Sequence, residues 1–123
     1  MGAVLAVDAG TTGIRSLLID ENGEIIQTAY RELTQYFPSP GWVEHDPNEI
    51  WECVQSTMSE VSEAYGKDPV AIAITNQRET IVAWDKKTSL PLYRALVWQD
   101  RRTSKRCSDL QKTNLLPHIR KTT

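Results

Sequence analysis

Ala3-Val4-Leu5-Ala6-Val7-Asp8-Ala9-Gly10-Thr11-Thr12-Gly13-Ile14-Arg15 is the stretch on which the reading of this chain turns. An apolar run of strand length ends on a carboxylate. It turns through two glycines flanking two hydroxyls, then re-enters a second apolar-rich run, Ser16 to Asp20, behind one arginine. Glycine lets a backbone turn tightly and approach a ligand closely. Successive N–H groups in such a turn can form an anion-binding nest.

The chemistry of the turn is that of a phosphate cradle. Gly10 and Gly13 would shape it, and Thr11 and Thr12 would add hydroxyl donors. Asp8, at the carboxyl end of the first strand, is placed to hold Mg²⁺ directly or through water. Arg15 could neutralise charge on a transferring phosphoryl group. A Walker A loop is excluded, because that motif needs a lysine and a following helix. An ordinary glycine-rich hairpin remains the competing reading of these residues alone.

Working outward, Val4 to Asp8, Ile14 to Asp20 and Glu24 to Leu33 read as three strands of an antiparallel meander. The second turn carries Asn22-Gly23, a hairpin signal. Residues 34–46 hold Pro38, Pro40 and Gly41 and read as an aromatic loop that packs against the body of the domain. A helix should follow, with Asp46 as N-cap, Pro47 at the first position, Glu49 in a capping box and Gly66 as the stop. Its stripe would be Trp51, Val54, Met58, Val61 and Tyr65, facing the sheet. Val70 to Thr75 should then lie parallel to the first strand. Glu79 to Trp84 and Leu92 to Trp98 are further strand candidates, and Arg101 to Gln111 a second helix. Beyond Thr113 no periodicity is visible.

Composition bounds the function. The chain has 123 residues, 40% of them apolar and 24% charged, as expected of one globular domain. A net charge of −2 gives no electrostatic case for nucleic acid or for an anionic membrane. Cys53 and Cys107 are far apart and form no metal or redox motif, so a reducing cytoplasm is the simplest setting. No apolar run approaches a membrane span, and no leader is expected.

Strand-strand-strand-helix-strand is the order of a ribonuclease-H-like domain, the core of actin-like ATPases and several sugar kinases. The expected class is therefore α/β, a mixed sheet with a three-strand meander and a packed helix. Among the remaining candidates, Arg78 and Glu79 read either as a rigid donor and acceptor for a small polyol or as a surface ion pair. Trp98 reads as an aromatic cover for such a ligand or as a core residue. Asp100 is most simply a counter-charge for Arg101 and Arg102. Lys86 and Lys87 read as a solvated turn, and His45 and His118 as surface or loop residues.

Three segments together resemble the N-terminal part of the glycerol kinases of the FGGY carbohydrate kinase family. They are Asp8 to Arg15; Phe37-Pro38-Ser39-Pro40-Gly41-Trp42-Val43-Glu44-His45-Asp46-Pro47-Asn48-Glu49-Ile50-Trp51; and Ile74-Thr75-Asn76-Gln77-Arg78-Glu79-Thr80 with Val97-Trp98-Gln99-Asp100-Arg101-Arg102-Thr103. The chain departs from those kinases at Ala9, where Gln is common, and at Gly13-Ile14, where two serines are usual. The resemblance implies ATP and Mg²⁺ as cofactors and glycerol as substrate. Thr11, Thr12 and Gly13 would contact nucleotide phosphates, with Gly10 shaping the loop, Thr11 also near the transferred group and Arg15 on phosphate. Arg78 and Glu79 would bind glycerol hydroxyls, Trp98 would cover its carbons, and Asp8 would position the metal.

Family members are several times longer. Residues 1–123 would be the N-terminal part of their first domain. The general base, a tyrosine of the polyol site and the adenine-binding second domain would lie outside it, so no catalytic residue is assigned to this chain and low activity is expected of it alone. Two other classes stay open: a non-catalytic module with weak polyol binding, and an actin-like nucleotide hydrolase. A cut sheet would also expose an unpaired edge and invite self-association.

Overall fold

The computed structural model describes residues 2–122. Nine elements follow in order: β1 (Val4–Ala9), β2 (Gly13–Ile19), β3 (Ile25–Glu32), β4 (Glu44–His45), α1 (Pro47–Tyr65), β5 (Ala71–Thr75), β6 (Ala95–Leu96), α2 (Ser104–Gln111) and α3 (Leu116–Thr122). The main sheet has the order β3-β2-β1-β5, with β1 antiparallel to β2, β2 antiparallel to β3 and β5 parallel to β1. This is the ribonuclease-H-like arrangement.

Alternation along the strands decides which face is core. Leu5 and Val7 of β1, Ile14 and Leu18 of β2 and Ala29 of β3 are buried with Val61 of α1. Each fully buried aliphatic side chain contributes about 1.5–3 kcal/mol. Because α1 covers β1 to β3 only, all five residues of β5 are exposed. Ile72 and Ile74 belong to an uncovered strand whose outer edge pairs with no other described strand. Asp8 pairs in register with Arg15 on one side and Thr75 on the other, at the carboxyl ends of β1 and β5.

Helix α1 starts and stops on the expected residues. The Asp46 carboxylate accepts from the Asn48 N–H at 2.9 Å, Pro47 follows, and Gly66 closes the helix with φ 68°. The capping box does not form: Glu49 Oε1 instead accepts from the Thr34 N–H at 2.9 Å, tying the helix start to the end of the meander. Four residues of the expected stripe, Val54, Met58, Val61 and Tyr65, face the core, and Trp51 alone of the five does not. Ile50, Cys53, Val54, Met58 and Tyr65 pack on the core around Thr57 and Val61, while Trp51 is 59% exposed. A polar contact lies inside that interface, Ser16 donating to Thr57 Oγ1 at 2.8 Å, and a hydroxyl at position 57 is invisible to a search for apolar periodicity.

Other expectations are corrected. The second turn is not a two-residue Asn-Gly hairpin: the Asp20 carboxylate accepts from the Asn22 and Glu24 N–H groups at 2.9 Å each, and only Gly23 has positive φ. The expected strands over 79–84 and 92–98 shrink to β6 and isolated bridges, Ile81 with Leu96 and Trp84 with Pro91. Glu79 enters in the left-handed region and Pro91 lacks a ladder donor, so neither segment can sustain pairing. β6 pairs with β4, inside the segment expected to be a loop. α2 begins after Thr103 because Asp100 holds the Arg102 N–H and guanidinium at 2.9 Å in the preceding turn. Past Thr113 a short exposed helix, α3, does form; with no buried residue it had no apolar face to read.

Candidate functional site

A cleft of about 350 Å³ lies at the carboxyl ends of β1 and β5, lined by Gly10, Thr11, Asn76, Gln77, Arg78, Glu79 and Trp98. It brings together residues from three distant segments. The β1–β2 loop supplies Gly10 and Thr11, the stretch after β5 supplies 76–79, and the stretch after β6 supplies Trp98.

The loop is held by its own backbone. Gly10 N–H donates to Gly13 O at 3.1 Å, so that amide serves the turn itself. Neither Gly10 nor Gly13 has positive φ. Gly13 is needed for a different reason: a Cβ there would run into the Tyr30 ring and the Arg31 carbonyl on β3. Trp98 Nε1–H donates to Thr11 Oγ1 at 2.9 Å. With that oxygen accepting, the Thr11 hydroxyl keeps its own proton to donate to a ligand.

Arg78 and Glu79 are exposed at the cleft, and they form no ion pair with each other or with other described residues. A surface ion pair therefore does not account for them. Among the described residues, Glu79 is one of two non-glycine residues with positive φ, at 67°. An L-residue in that region costs of order 1 kcal/mol or more and persists where surrounding structure holds it.

The remaining candidates, Asp8, Thr12, Gly13 and Arg15, do not line this cleft. Thr12 and Arg15 are exposed, and Arg15 lies over the Tyr30 ring at 5.5 Å from its centroid. Asp8 is exposed and borders an apolar groove with Ala73, Ile74 and Thr75. No cluster of three or more His, Cys, Asp or Glu that could hold a metal occurs among the described residues. A lone carboxylate fits Mg²⁺ of the kind that keeps most of its waters and takes phosphate oxygens. It does not fit an all-protein metal cage.

Sequence reasoning missed the scaffold behind the cleft. His45, expected to be a surface or loop residue, lies on β4 and is 1% exposed. Its Nε2 lies 2.8 Å from Gln35 Oε1 and its Nδ1 3.3 Å from Gln77 Nε2. Gln77 Nε2 also donates to Gly10 O at 2.9 Å, and Gln35 Nε2 to Thr11 O at 3.0 Å. Thr80 Oγ1 donates to Gln77 Oε1 at 2.9 Å and accepts from the Trp98 N–H at 3.3 Å. Burial holds the imidazole below its ordinary pKa, opposed in part by the negative charge of Glu49. Nothing in linear spacing could have joined positions 35, 45 and 77.

A second polar cluster fixes the loop that carries His45. Glu44 is buried and accepts from Arg102 Nη2 at 2.7 Å, and Arg102 also holds Asp100 at 2.8 Å. The guanidinium stacks on Trp42 at 3.9 Å, and the same Asp100 oxygen, Oδ2, also receives the Val43 N–H at 2.8 Å. Arg102 keeps the Asp100 carboxyl down at about 2. The counter-charge reading of Asp100 thus holds for Arg102, whereas Arg101 is exposed and outside the cluster.

The chain is 51% identical over 123 residues to the glycerol kinase of Leptospira biflexa, covering 98% of this chain and 25% of that protein. It is 50% identical to the glycerol kinase of Mycoplasmopsis pulmonis, covering 98% and 24%. It therefore spans about a quarter of the length of these curated relatives. Among solved structures, Plasmodium falciparum glycerol kinase with ADP superposes with a TM-score of 0.83 at 32% identity, over 93% of this chain and 24% of that one. A ligand-bound xylulose kinase from Lactobacillus acidophilus, 20% identical, gives 0.85 over 90% of this chain and 22% of its own, a likeness of fold alone. The family described as FGGY carbohydrate kinases, N-terminal domain, matches residues 3–123, and the chain belongs to it.

Proposed function

We propose that the chain supplies part of the first domain of an ATP-dependent glycerol kinase, which transfers the γ-phosphoryl group to a terminal hydroxyl to give glycerol 3-phosphate. The observation that carries this reading is the Trp98 Nε1–H to Thr11 Oγ1 bond of 2.9 Å, which sets the phosphate loop and the polyol grip in one cleft. The relatives named glycerol kinase, about half identical across the whole chain, support it.

Each residue then has a distinct task. Thr11 and Thr12 donate hydroxyls to phosphate on a loop shaped by Gly10 and Gly13. Arg15 offsets phosphate charge. Arg78 donates to the polyol hydroxyls and Glu79 accepts from them, in a left-handed backbone position that aims its side chain as an extended residue would not. The Trp98 ring shields the carbons from water. Asp8 would hold Mg²⁺ through water, and bound Mg²⁺ neutralises charge on the phosphates. Phosphoryl transfer depends on holding nucleotide, metal and acceptor together. This chain offers one side of that clamp, and the base and the adenine site lie outside residues 1–123. The setting is the cytoplasm, where ATP is available.

The test is a fusion in which residues 1–123 replace the matching quarter of Leptospira biflexa glycerol kinase. Glycerol-dependent ADP release is expected, and Arg78→Ala should raise the glycerol KM at least tenfold. ATP hydrolysis indifferent to glycerol would overturn the kinase reading in favour of a hydrolase. Glycerol titrated into the chain alone should shift the amide signals of Arg78 and Glu79 and the Trp98 indole signal.

A further inference from the structure

The His45 network admits one proton arrangement. Gln35 Nε2 donates to two carbonyls, Thr11 O at 3.0 Å and Leu33 O at 3.2 Å, so Gln35 presents its Oε1 to the imidazole. His45 Nε2 must then carry the hydrogen. On the other side, Gln77 Nε2 is fixed as donor by Gly10 O at 2.9 Å, and its second hydrogen points at His45 Nδ1. Nδ1 must then be a bare acceptor. Backbone carbonyls, which can only accept, settle both amide orientations. The imidazole is neutral, with its single proton on Nε2. An imidazolium would set Nδ1–H against the Gln77 amide donor.

We propose that His45 is a positioning residue that locks the phosphate loop to the polyol-binding turn, through Gln35 to Thr11 O and through Gln77 to Gly10 O, Thr80 and Trp98. The consequence for ligand binding rests on the function proposed above; the network itself does not. His45 sits on β4, paired with Ala95 of β6, and so ties the two sides of the cleft to the loop that Arg102 anchors. Of the groups packed on it, Gln35 and Gln77 are uncharged and Glu49 of α1 is the charge that acts on it.

Two substitutions separate the two halves of the lock. His45→Asn keeps an acceptor near the Nδ1 position and so keeps Gln77. His45→Gln keeps a donor near Nε2 and so keeps Gln35.

The first experiment needs no variant: long-range proton–nitrogen NMR of the histidine rings in the 123-residue chain. The expected result is the neutral Nε2–H form for His45 at neutral pH. An Nδ1–H form, or an imidazolium at neutral pH, would overturn the proposal. Next, His45→Gln should shift the Gly10 amide and Trp98 indole signals while His45→Asn leaves them in place; equal effects of the two would also overturn it. In the kinase fusion, His45→Gln should raise the glycerol KM about tenfold, with His45→Asn near the parent. A fall in kcat alone, equal in both variants, would indicate mere loss of folded enzyme and refute the positioning role. A parent fusion without kinase activity would refute the proposed function and leave the two NMR tests to decide this one.

Discussion

Removing Arg102 should cost this fold more than any other single surface-proximal change. The Glu44 side chain is 1% exposed and that of Asp100 7%, and both are held by one guanidinium whose own side chain is 17% exposed. After Arg102→Met, Glu44 keeps only the Tyr93 hydroxyl at 3.3 Å and Arg94 at 4.0 Å, the latter 43% exposed. Breaking a buried pair from one side typically costs about 3–5 kcal/mol, because the remaining charge stays desolvated. Total stability for such a domain is about 5–15 kcal/mol. Urea unfolding is the assay. With a slope of about 2 kcal/mol per molar, the midpoint should fall by roughly 1.5–2.5 M. Glu44→Gln in the Arg102→Met background should recover part of the loss, since a neutral amide costs less to bury than an unpaired carboxylate. A midpoint shift below about 0.5 M, equivalent to about 1 kcal/mol, would refute the reasoning. So would strictly additive behaviour of the two changes.

The same cluster sets an acid limit. Asp100 titrates at about 2 instead of 3.8, so its stabilisation is complete above 3.8 and disappears as pH falls through about 2. The effect should be about 1–2 kcal/mol in urea titrations across that range, and absent in Asp100→Asn. Glu79→Gly should raise stability by about 0.5–1 kcal/mol by relieving the φ of 67°, while abolishing glycerol-induced NMR shifts; stability lost together with binding would show that Glu79 is not strained. Gly13→Ala should destabilise by at least about 2 kcal/mol, because the carbonyl of Arg31 cannot move aside as a flexible side chain would. The bare edge and exposed isoleucines of β5 should drive concentration-dependent association of the isolated chain, seen by sedimentation and reduced by Ile74→Lys. A monomer at millimolar concentration would count against it.

Local signals in the sequence determined the meander, the glycine loop between its first strands and both ends of α1. Strand alternation, caps and turns act over a few residues, so spacing alone expresses them. The sequence also placed Arg78, Glu79 and Trp98 beside the phosphate loop, but only through resemblance between whole segments; no spacing rule joins position 11 to position 98. The tertiary structure decided what depends on neighbours distant in the chain. It turned α1 so that Thr57 faces Ser16 and Trp51 faces out, and it sent the Glu49 carboxylate to Thr34 instead of its own cap. It reduced the strands after residue 79 to short pairings around a left-handed Glu79. Above all it buried His45, a residue that seemed partnerless in one dimension, between two glutamines whose partners are backbone carbonyls of the phosphate loop. Hydrogen-bond satisfaction in a buried site is a property of three-dimensional neighbours, and no one-dimensional pattern records it.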